Sequence, residues 1–481
     1  MKYDVLIIGA GAVGASVARN MSRYLAKVAL IDKENDVGNV TSMANSAIVH
    51  SGYDPVPGTN KAKFNVLGNK MFDAIADELD VKFIRNGSLT VALYDSQLPM
   101  LNDLAERSKQ NGVEVRLLNK EEVLKMEPNI NPEVKGALFA PTAGIIDPFN
   151  LVVHTVENAV DNGVELFLNE EVINIEYSDE LSKVYTRSGK VFEAKMVVDA
   201  AGLASDKIAR MVDPNIDWSI TPRKGQYFVL DHYKLGLVNS VIFPLPSEKG
   251  KGILVSRTTS NNYIVGPSSE PVNDIDDLST DGLTLSNVRA QASEMVPSIP
   301  FNQAIRAFSG NRATCTRHDF VIERCKGKEN FVILGGIESP GLVSSPAIGE
   351  YVVEEFIKPT LNLQKNPNFN PRVRKFLRTK DMSLQERNEL IKKDPDYGEI
   401  VCFCEQVSLG EVKDALSRSV PPRSIKAMKK RVRAGFGKCH GGFCQPRILS
   451  ELAKHYGVSW LDVNYDEENT HIVLENVKEP K

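Results

Sequence analysis

The sequence has no run of about 18 apolar residues, so it offers no candidate for a transmembrane helix. It also lacks an excess of charge of either sign. A formal net charge of −4 on 481 residues gives no general attraction to nucleic acid or membrane, and any electrostatic argument has to be local. Cysteine is scarce: six in a chain of this length do not make a disulfide framework, and four of them crowd between Cys402 and Cys444, a spacing that points to metal. Acids are missing from one stretch, since Arg418 to Arg447 contains nine Lys or Arg residues and no Asp or Glu. What remains is ordinary globular composition, 42% hydrophobic and 25% charged, with length for two to four domains. The apolar run 3–8 is a poor secretory signal because Asp4 sits at its start, so the expected location is cytoplasmic.

That run is the first positive signal. Residues 3–8 read as a buried strand, Gly9-Ala10-Gly11-Ala12-Val13-Gly14 follows, and 15–25 can continue as a helix. Gly9 permits the tight turn, Gly11 leaves no Cβ between backbone and pyrophosphate, and Gly14 lets helix pack on strand, so a diphosphate can meet free N–H groups at the helix N-terminus. Residues 27–31 read as the next parallel strand, closed by Asp32, whose carboxylate can accept from adenosine ribose hydroxyls and disfavours a 2′-phosphate. The pattern predicts an adenine-dinucleotide site.

Further along, the polar stretch from Thr41 through His50 to Pro55 suits a loop close to a ligand. Helices are predicted over 61–79, 99–111 and 149–162, with a turn over 143–148. Short strands over 164–167, 172–177, 183–186 and 191–193 lead to a separate buried strand beginning at Lys195, which runs into Ala200-Ala201-Gly202 and a helix from Asp206. Small residues at a strand end allow a cofactor close to the backbone, although a plain strand-to-helix turn would look the same. Strands over 88–94, 222–230, 241–244, 252–256 and 262–266 suggest a mixed or antiparallel second sheet. Strand 331–334 enters Gly335-Gly336-Ile337-Glu338-Ser339-Pro340-Gly341-Leu342 and a helix over 346–357, again strand, glycine loop and helix. Residues 359–371 read as a linker, followed by a charged helix to about Lys393.

Cys402 and Cys404 are separated by one residue, and Cys439 and Cys444 by four. Thiolate quartets suit either a [2Fe–2S] cluster or tetrahedral zinc, but C-x-C fits zinc knuckles poorly. The surrounding cations would stabilise an anionic cluster, or else form a solvated face for a partner, and Gly435, Gly437, Gly441 and Gly442 suggest a loop that bends its N–H groups towards sulfur.

The fingerprint, the Thr41 to Pro55 loop, Arg223-Lys224-Gly225-Gln226-Tyr227, Gly250-Lys251-Gly252, Val265-Gly266-Pro267 and Gly336-Ile337-Glu338-Ser339-Pro340-Gly341 resemble the D-amino-acid-oxidase-type flavoproteins, and among them the type 2 glycerol-3-phosphate oxidases, over residues 1 to 360. Cys402-Phe403-Cys404-Glu405 and the stretch from Arg433 to Cys444 resemble the bacterioferritin-associated-ferredoxin-like [2Fe–2S] domain fused to anaerobic glycerol-3-phosphate dehydrogenase large subunits. The resemblance implies an α/β (α+β) architecture: a Rossmann-like FAD-binding part (about 1–85, 150–210 and 325–360), a substrate part on a mixed or antiparallel sheet (about 86–149 and 211–324), a linker and helix over 361–393, and a small [2Fe–2S] domain and tail over 394–481.

It implies FAD held by Gly9, Gly11, Gly14, Asp32, Lys33, Thr41, Ser42, Asn45, Ser46, Val172, Ala201, Gly202, Gly336, Gly341 and Leu342, and a cluster held by the four cysteines. His50, in an Asn-Ser-x-x-x-His setting, would be the base for a substrate hydroxyl, Arg312 would bind the substrate anion with help from Lys251, and Ser339 would line the site. Glu338 places a carboxylate where it could repel an anionic substrate. The implied activity is oxidation of glycerol 3-phosphate, with electrons leaving through the cluster to a redox partner subunit, no nucleic-acid partner, and membrane association at most peripheral through that partner. An L-2-hydroxyglutarate or other 2-hydroxy acid dehydrogenase, or a non-catalytic electron relay, would share most of these features.

Overall fold

The computed structural model describes residues 1–232, 236–246 and 252–475. Its first sheet contains eight strands among the described residues. At its centre Lys2–Ile8 lies parallel to Val28–Ile31 on one side and Val191–Asp199 on the other, in the register Ile8 to Ile31 and Ile8 to Asp199. These central strands are apolar almost without interruption because both their faces are covered. On one face pack the helices Ala12–Met21, Pro148–Asp161 and Gly341–Tyr351, through Val17, Val156 and Ile348. On the other lie Phe192, Phe331 and Trp218.

The second sheet has nine strands among the described residues. Its spine is the antiparallel pair Ile220–Leu230 and Ala304–Cys315, matched from Ile220 opposite Cys315 to Leu230 opposite Ala304. That register sets Gly225 opposite Gly310 and Arg223 opposite Arg312. Helix Gly282–Met295 covers this sheet through Val288, Ala292 and Met295. A small separate sheet joins Ile48–Val49 and Phe83–Ile84 to Gly144–Ile146.

The cysteine module is built from the hairpin Ile400–Cys402 and Val407–Ser408 and the helices Leu409–Leu416, Ile425–Val432 and Gln445–Tyr456, around Val412, Met428 and Leu452. Among the described residues no helix is long and apolar enough to cross a membrane.

The structure departs from the sequence reading in several places, each for a tertiary reason. The two strands expected around residues 191–198 are one, Val191–Asp199, whose first half pairs with a hairpin strand and whose second half pairs with Lys328–Gly335. Residues 304–315, in which Ser309-Gly310-Asn311 interrupts the apolar positions, carry no clear strand signal of their own and become a strand through pairing with Ile220–Leu230. The turn expected over 143–148 holds the strand Gly144–Ile146. The helix expected from residue 346 begins at Gly341, and Pro346 lies inside it. Proline there leaves the Leu342 carbonyl without its helical donor, and the Ser345 hydroxyl bonds to it at 2.9 Å.

Three cations of the basic stretch form an interdomain contact. Arg418 meets Glu157 at 3.0 Å, and Lys430 and Arg431 meet Asp36 at 2.7 and 2.8 Å, so these cations face the N-terminal domain rather than solvent.

Candidate functional site

A cavity of about 670 Å³ runs between the two sheets. At one end lie Gly11, Ala12 and Val13, the start of helix Ala12–Met21, with Ser42 opposite. The glycine turn is as tight as the fingerprint requires. Gly9 has φ +106°, and a Cβ there would fall 2.4 Å from the Ala200 carbonyl oxygen. A Cβ on Gly14 would fall 1.8 Å from the Gly9 carbonyl oxygen, so any side chain would push the helix off the strand. Ser42 Oγ accepts from the Ala12 N–H at 2.9 Å and tethers the loop to the helix start.

Asp32 braces this turn from behind, accepting from the Ala10 and Glu34 N–H groups at 2.5 and 2.9 Å. Burial pushes its carboxyl up to about 6 against the pull of those two donors. Asp32 is therefore a structural part of the turn.

Across the cavity, the loop after Val40 is folded on itself. Asn45 Nδ2 donates to the Thr41 and Ser42 carbonyls, and Asn45 Oδ1 accepts from the Ala47 N–H. Thr41 Oγ1 donates to the Asn311 carbonyl at 2.9 Å, and the Ser46 hydroxyl lies 3.2 Å from that of Tyr227, whose ring stacks on Phe308. A Cβ on Gly310 would fall 2.2 Å from the Ala44 carbonyl oxygen, so the loop lies directly on the second sheet.

The loop delivers His50 to the cavity. Its carbonyl accepts from Asn65 and Asn69 side chains at 2.7 and 2.9 Å, and its ring packs 5.8 Å from that of Phe243. Arg312 enters from the opposite strand, with Nη2 2.9 Å from the Ser268 carbonyl oxygen and Nη1 3.3 Å from Ser269 Oγ. Ser339, Gly341 and Leu342 line the same space at the start of helix Gly341–Tyr351, so a second positive helix end faces the cavity.

Glu338, beside them, is not a bare carboxylate. Lys61 Nζ lies 2.9 Å from one oxygen and Thr314 Oγ1 donates to the other at 2.7 Å.

The cavity thus brings together His50, Arg312, Ser339, Gly11, Thr41, Ser42, Asn45, Ser46, Gly202, Gly341 and Leu342. Gly9, Gly14 and Asp32 build the turn behind it. Ala201 sits between two lining residues, and Gly336, at φ +64°, packs against Cys315. Lys33 points to Glu34 and Asp276, and Val172 is in the core at the start of its strand, so neither lines the cavity. Lys251 lies outside the described residues. Sequence reading gave no role to Lys61, Phe243, Thr314 or His318, which also line the space. Lys61 reads simply as a first-turn helix residue, and its partner is 277 positions away.

The four cysteines form two pairs. Cys404 and Cys439 sulfurs lie 3.5 Å apart, and Cys402 bonds to Cys444. That bond, helped by the Gly435 and Glu405 N–H groups, takes the Cys402 thiol down to about 6 while Cys444 is driven up. Burial pushes Cys404 up, whereas N–H bonds from Gly441 and Phe443 outweigh burial and lower Cys439. In each pair one thiol is lowered and its partner raised. Gly435 and Gly441, at φ +91° and +89°, turn their N–H groups to sulfur, and a Cβ on Gly437 would fall 2.3 Å from that of Cys404. Two pairs suit a binuclear cluster, in which each iron takes two protein thiolates, better than one zinc.

The model of the FAD dependent oxidoreductase family matches residues 4–355, and that of the BFD-like [2Fe-2S] binding domain matches residues 400–454. The chain is 46% identical over 472 residues to a glycerol 3-phosphate dehydrogenase of Caloramator mitchellensis, covering 98% of each. It is 36% identical over 380 residues to a glycerol 3-phosphate oxidase of Mycoplasma genitalium, which takes up 76% of this chain and 97% of that one. The FAD-bound, dithionite-reduced L-alpha-glycerophosphate oxidase of Mycoplasma pneumoniae superposes with a TM-score of 0.74 at 32% identity, over 78% of this chain and 98% of that one. The tight glycine turn, the two helix ends on one cavity and the paired thiols fit the two cofactors these families carry, FAD and a [2Fe–2S] cluster. The chain belongs to the FAD dependent oxidoreductase family, with a BFD-like [2Fe–2S] binding domain following its flavin part.

Proposed function

We propose that this chain oxidises sn-glycerol 3-phosphate to dihydroxyacetone phosphate and delivers the electrons through its [2Fe–2S] domain to a redox partner. The observation that carries the reading is the entry of His50 and Arg312 into one cavity from opposite sides, between two helix N-termini. The near full-length likeness to a glycerol 3-phosphate dehydrogenase supports the substrate.

His50 takes the proton of the C2 hydroxyl. Neutral imidazole is the right base near pH 7, and two asparagine side chains on its carbonyl hold the residue in place. Arg312 binds the phosphate; its guanidinium is already oriented by Ser268 and Ser269, so little side-chain freedom is lost on binding. Lys251 assists it, and Ser339 lines the flavin side. Lys61 and Thr314 occupy both oxygens of Glu338, which removes the repulsion an isolated carboxylate would exert on the substrate. Gly9, Gly11, Gly14, Asp32, Thr41, Ser42, Asn45, Ser46, Gly202, Gly341 and Leu342 hold or frame FAD, with Lys33, Val172, Ala201 and Gly336 in outer positions, and Cys402, Cys404, Cys439 and Cys444 hold the cluster. When bound, FAD supplies the acceptor for the C2 hydride and the cluster a one-electron relay. Cys404 is exposed, as are Phe403 and Phe443, the chain neighbours of Cys404 and Cys444, at 76% and 80%, and this edge is where a partner meets the cluster.

Anaerobic titration of the purified protein with sn-glycerol 3-phosphate tests the reading. Bleaching of the flavin band followed by the cluster band is expected. No bleaching while dithionite still reduces both would overturn the substrate, and bleaching by L-2-hydroxyglutarate instead would replace it.

A further inference from the structure

The loop after the second parallel strand, residues 33–40, is held by the cluster domain. Arg431, in the last turn of helix Ile425–Val432, sets Nη1 2.9 Å from Asp36 Oδ2 and Nη2 2.8 Å from Oδ1. Lys430 Nζ lies 2.7 Å from Asp36 Oδ2 and donates to the Val37 carbonyl at 3.0 Å and to Asn39 Oδ1 at 3.1 Å. All three charged side chains are buried.

The same loop reaches the phosphate turn. The Gly38 N–H donates to the Ala10 carbonyl at 3.0 Å, and Asp32, just ahead of the loop, accepts from the Ala10 N–H at 2.5 Å. A continuous set of bonds therefore runs from the cluster domain, through Asp36 to Gly38, into the Gly9–Gly14 turn.

We propose that the cluster domain fixes the adenosine side of the FAD site, with Arg431 and Lys430 as positioning residues for FAD binding. A two-pronged guanidinium–carboxylate contact defines both distance and orientation, which a single ammonium does not. Buried pairs of this kind are costly to desolvate and serve better to set register than to add stability. The Mycoplasma pneumoniae oxidase binds FAD and is matched over 98% of its length by 78% of this chain, so the fold holds FAD with less chain and the cluster domain modulates binding rather than creating it. The coupling is reciprocal: FAD in its site tightens docking of the cluster domain, so the two redox centres are held together when both are loaded.

The test is FAD release from the full-length holoprotein, followed by the rise in flavin fluorescence on dilution. Arg431→Gln is expected to speed release about tenfold, within the range that coupling residues supply. Arg431→Lys is expected to fall between it and the parent, and provides the comparison if the glutamine variant does not fold. Arg418→Gln is the control. It breaks an equally buried pair in the same interface, with Glu157 on helix Pro148–Asp161, and is expected to change release by less than about twofold. Unchanged release in both Arg431 variants, or equal acceleration by Arg418→Gln, would overturn the proposal. Neither result depends on which substrate reduces the flavin.

Discussion

His50 sits at the end of the short strand Ile48–Val49, and its surroundings explain why one imidazole can be aimed reliably. Asn65 and Asn69, one turn apart on helix Asn60–Glu78, both donate to its carbonyl, and Phe243 covers its ring. The asparagines constrain the backbone through that carbonyl. His50→Asn is expected to slow substrate reduction of the flavin by roughly 10² to 10⁴, the usual range for a general base, with FAD still bound. Stopped-flow reduction checks this, and unchanged kinetics would remove His50 from the mechanism. In the sequence it was the family resemblance, through the Asn-Ser-x-x-x-His setting, that singled this histidine out as a candidate base. Glu338 was legible only as a hazard, because its neutralising partners Lys61 and Thr314 come from a distant helix and a strand that gives no signal of its own.

At the scale of elements, the pairing of Ile220–Leu230 with Ala304–Cys315 decides where Arg312, the arginine proposed to bind the anion, points. Gly225 stands opposite Gly310, and the space its missing Cβ leaves is taken by the Arg312 side chain on one face. A Cβ at residue 225 would fall 2.7 Å from Arg312 Nη2 and 2.8 Å from Pro267 Cβ. Gly225→Ala is therefore expected to displace the guanidinium and raise KM for the anionic substrate about 10- to 100-fold, with flavin content unchanged. Steady-state kinetics beside the flavin spectrum distinguish this from a folding defect. The first parallel strands and the helices over 60–78 and 148–161 could be read from periodicity because their signals are local. Strand 304–315 could not, since hydrogen bonds to a strand some eighty residues earlier create it.

On the scale of the whole molecule, two redox modules share a buried, charged interface. The modules remain chemically separate: Cys439→Ser is expected to abolish the cluster absorbance while substrate still bleaches the flavin, and loss of both bands would contradict that independence. The interface itself responds to acid. Burial alone would raise the Asp36 carboxyl, but Arg431 and Lys430 beside it outweigh burial and hold it well below the usual carboxylate range. Between that lowered value and the unfolded value of about 3.9 the unfolded chain binds more protons, so the stability Asp36 contributes is lost as pH falls through this window and is present in full, without pH dependence, above it. Thermal melting against pH should show a steeper slope below about pH 4 than that of Asp36→Asn, in which the other lowered carboxylates still titrate.

The sequence by itself determined the dinucleotide turn, the cysteine quartet and the order of the two modules, because glycines at fixed offsets, apolar periodicity and close cysteine spacing are local physical demands. The basic stretch shows the limit of that information. Read alone, Arg418 to Arg447 is a cluster of cations suited to an anionic cofactor or a partner; in the fold Arg418, Lys430 and Arg431 are buried against Glu157 and Asp36 of the other domain. Only the tertiary structure decided this, since a cation's partner is set by which surfaces meet, and charge alone carries no address.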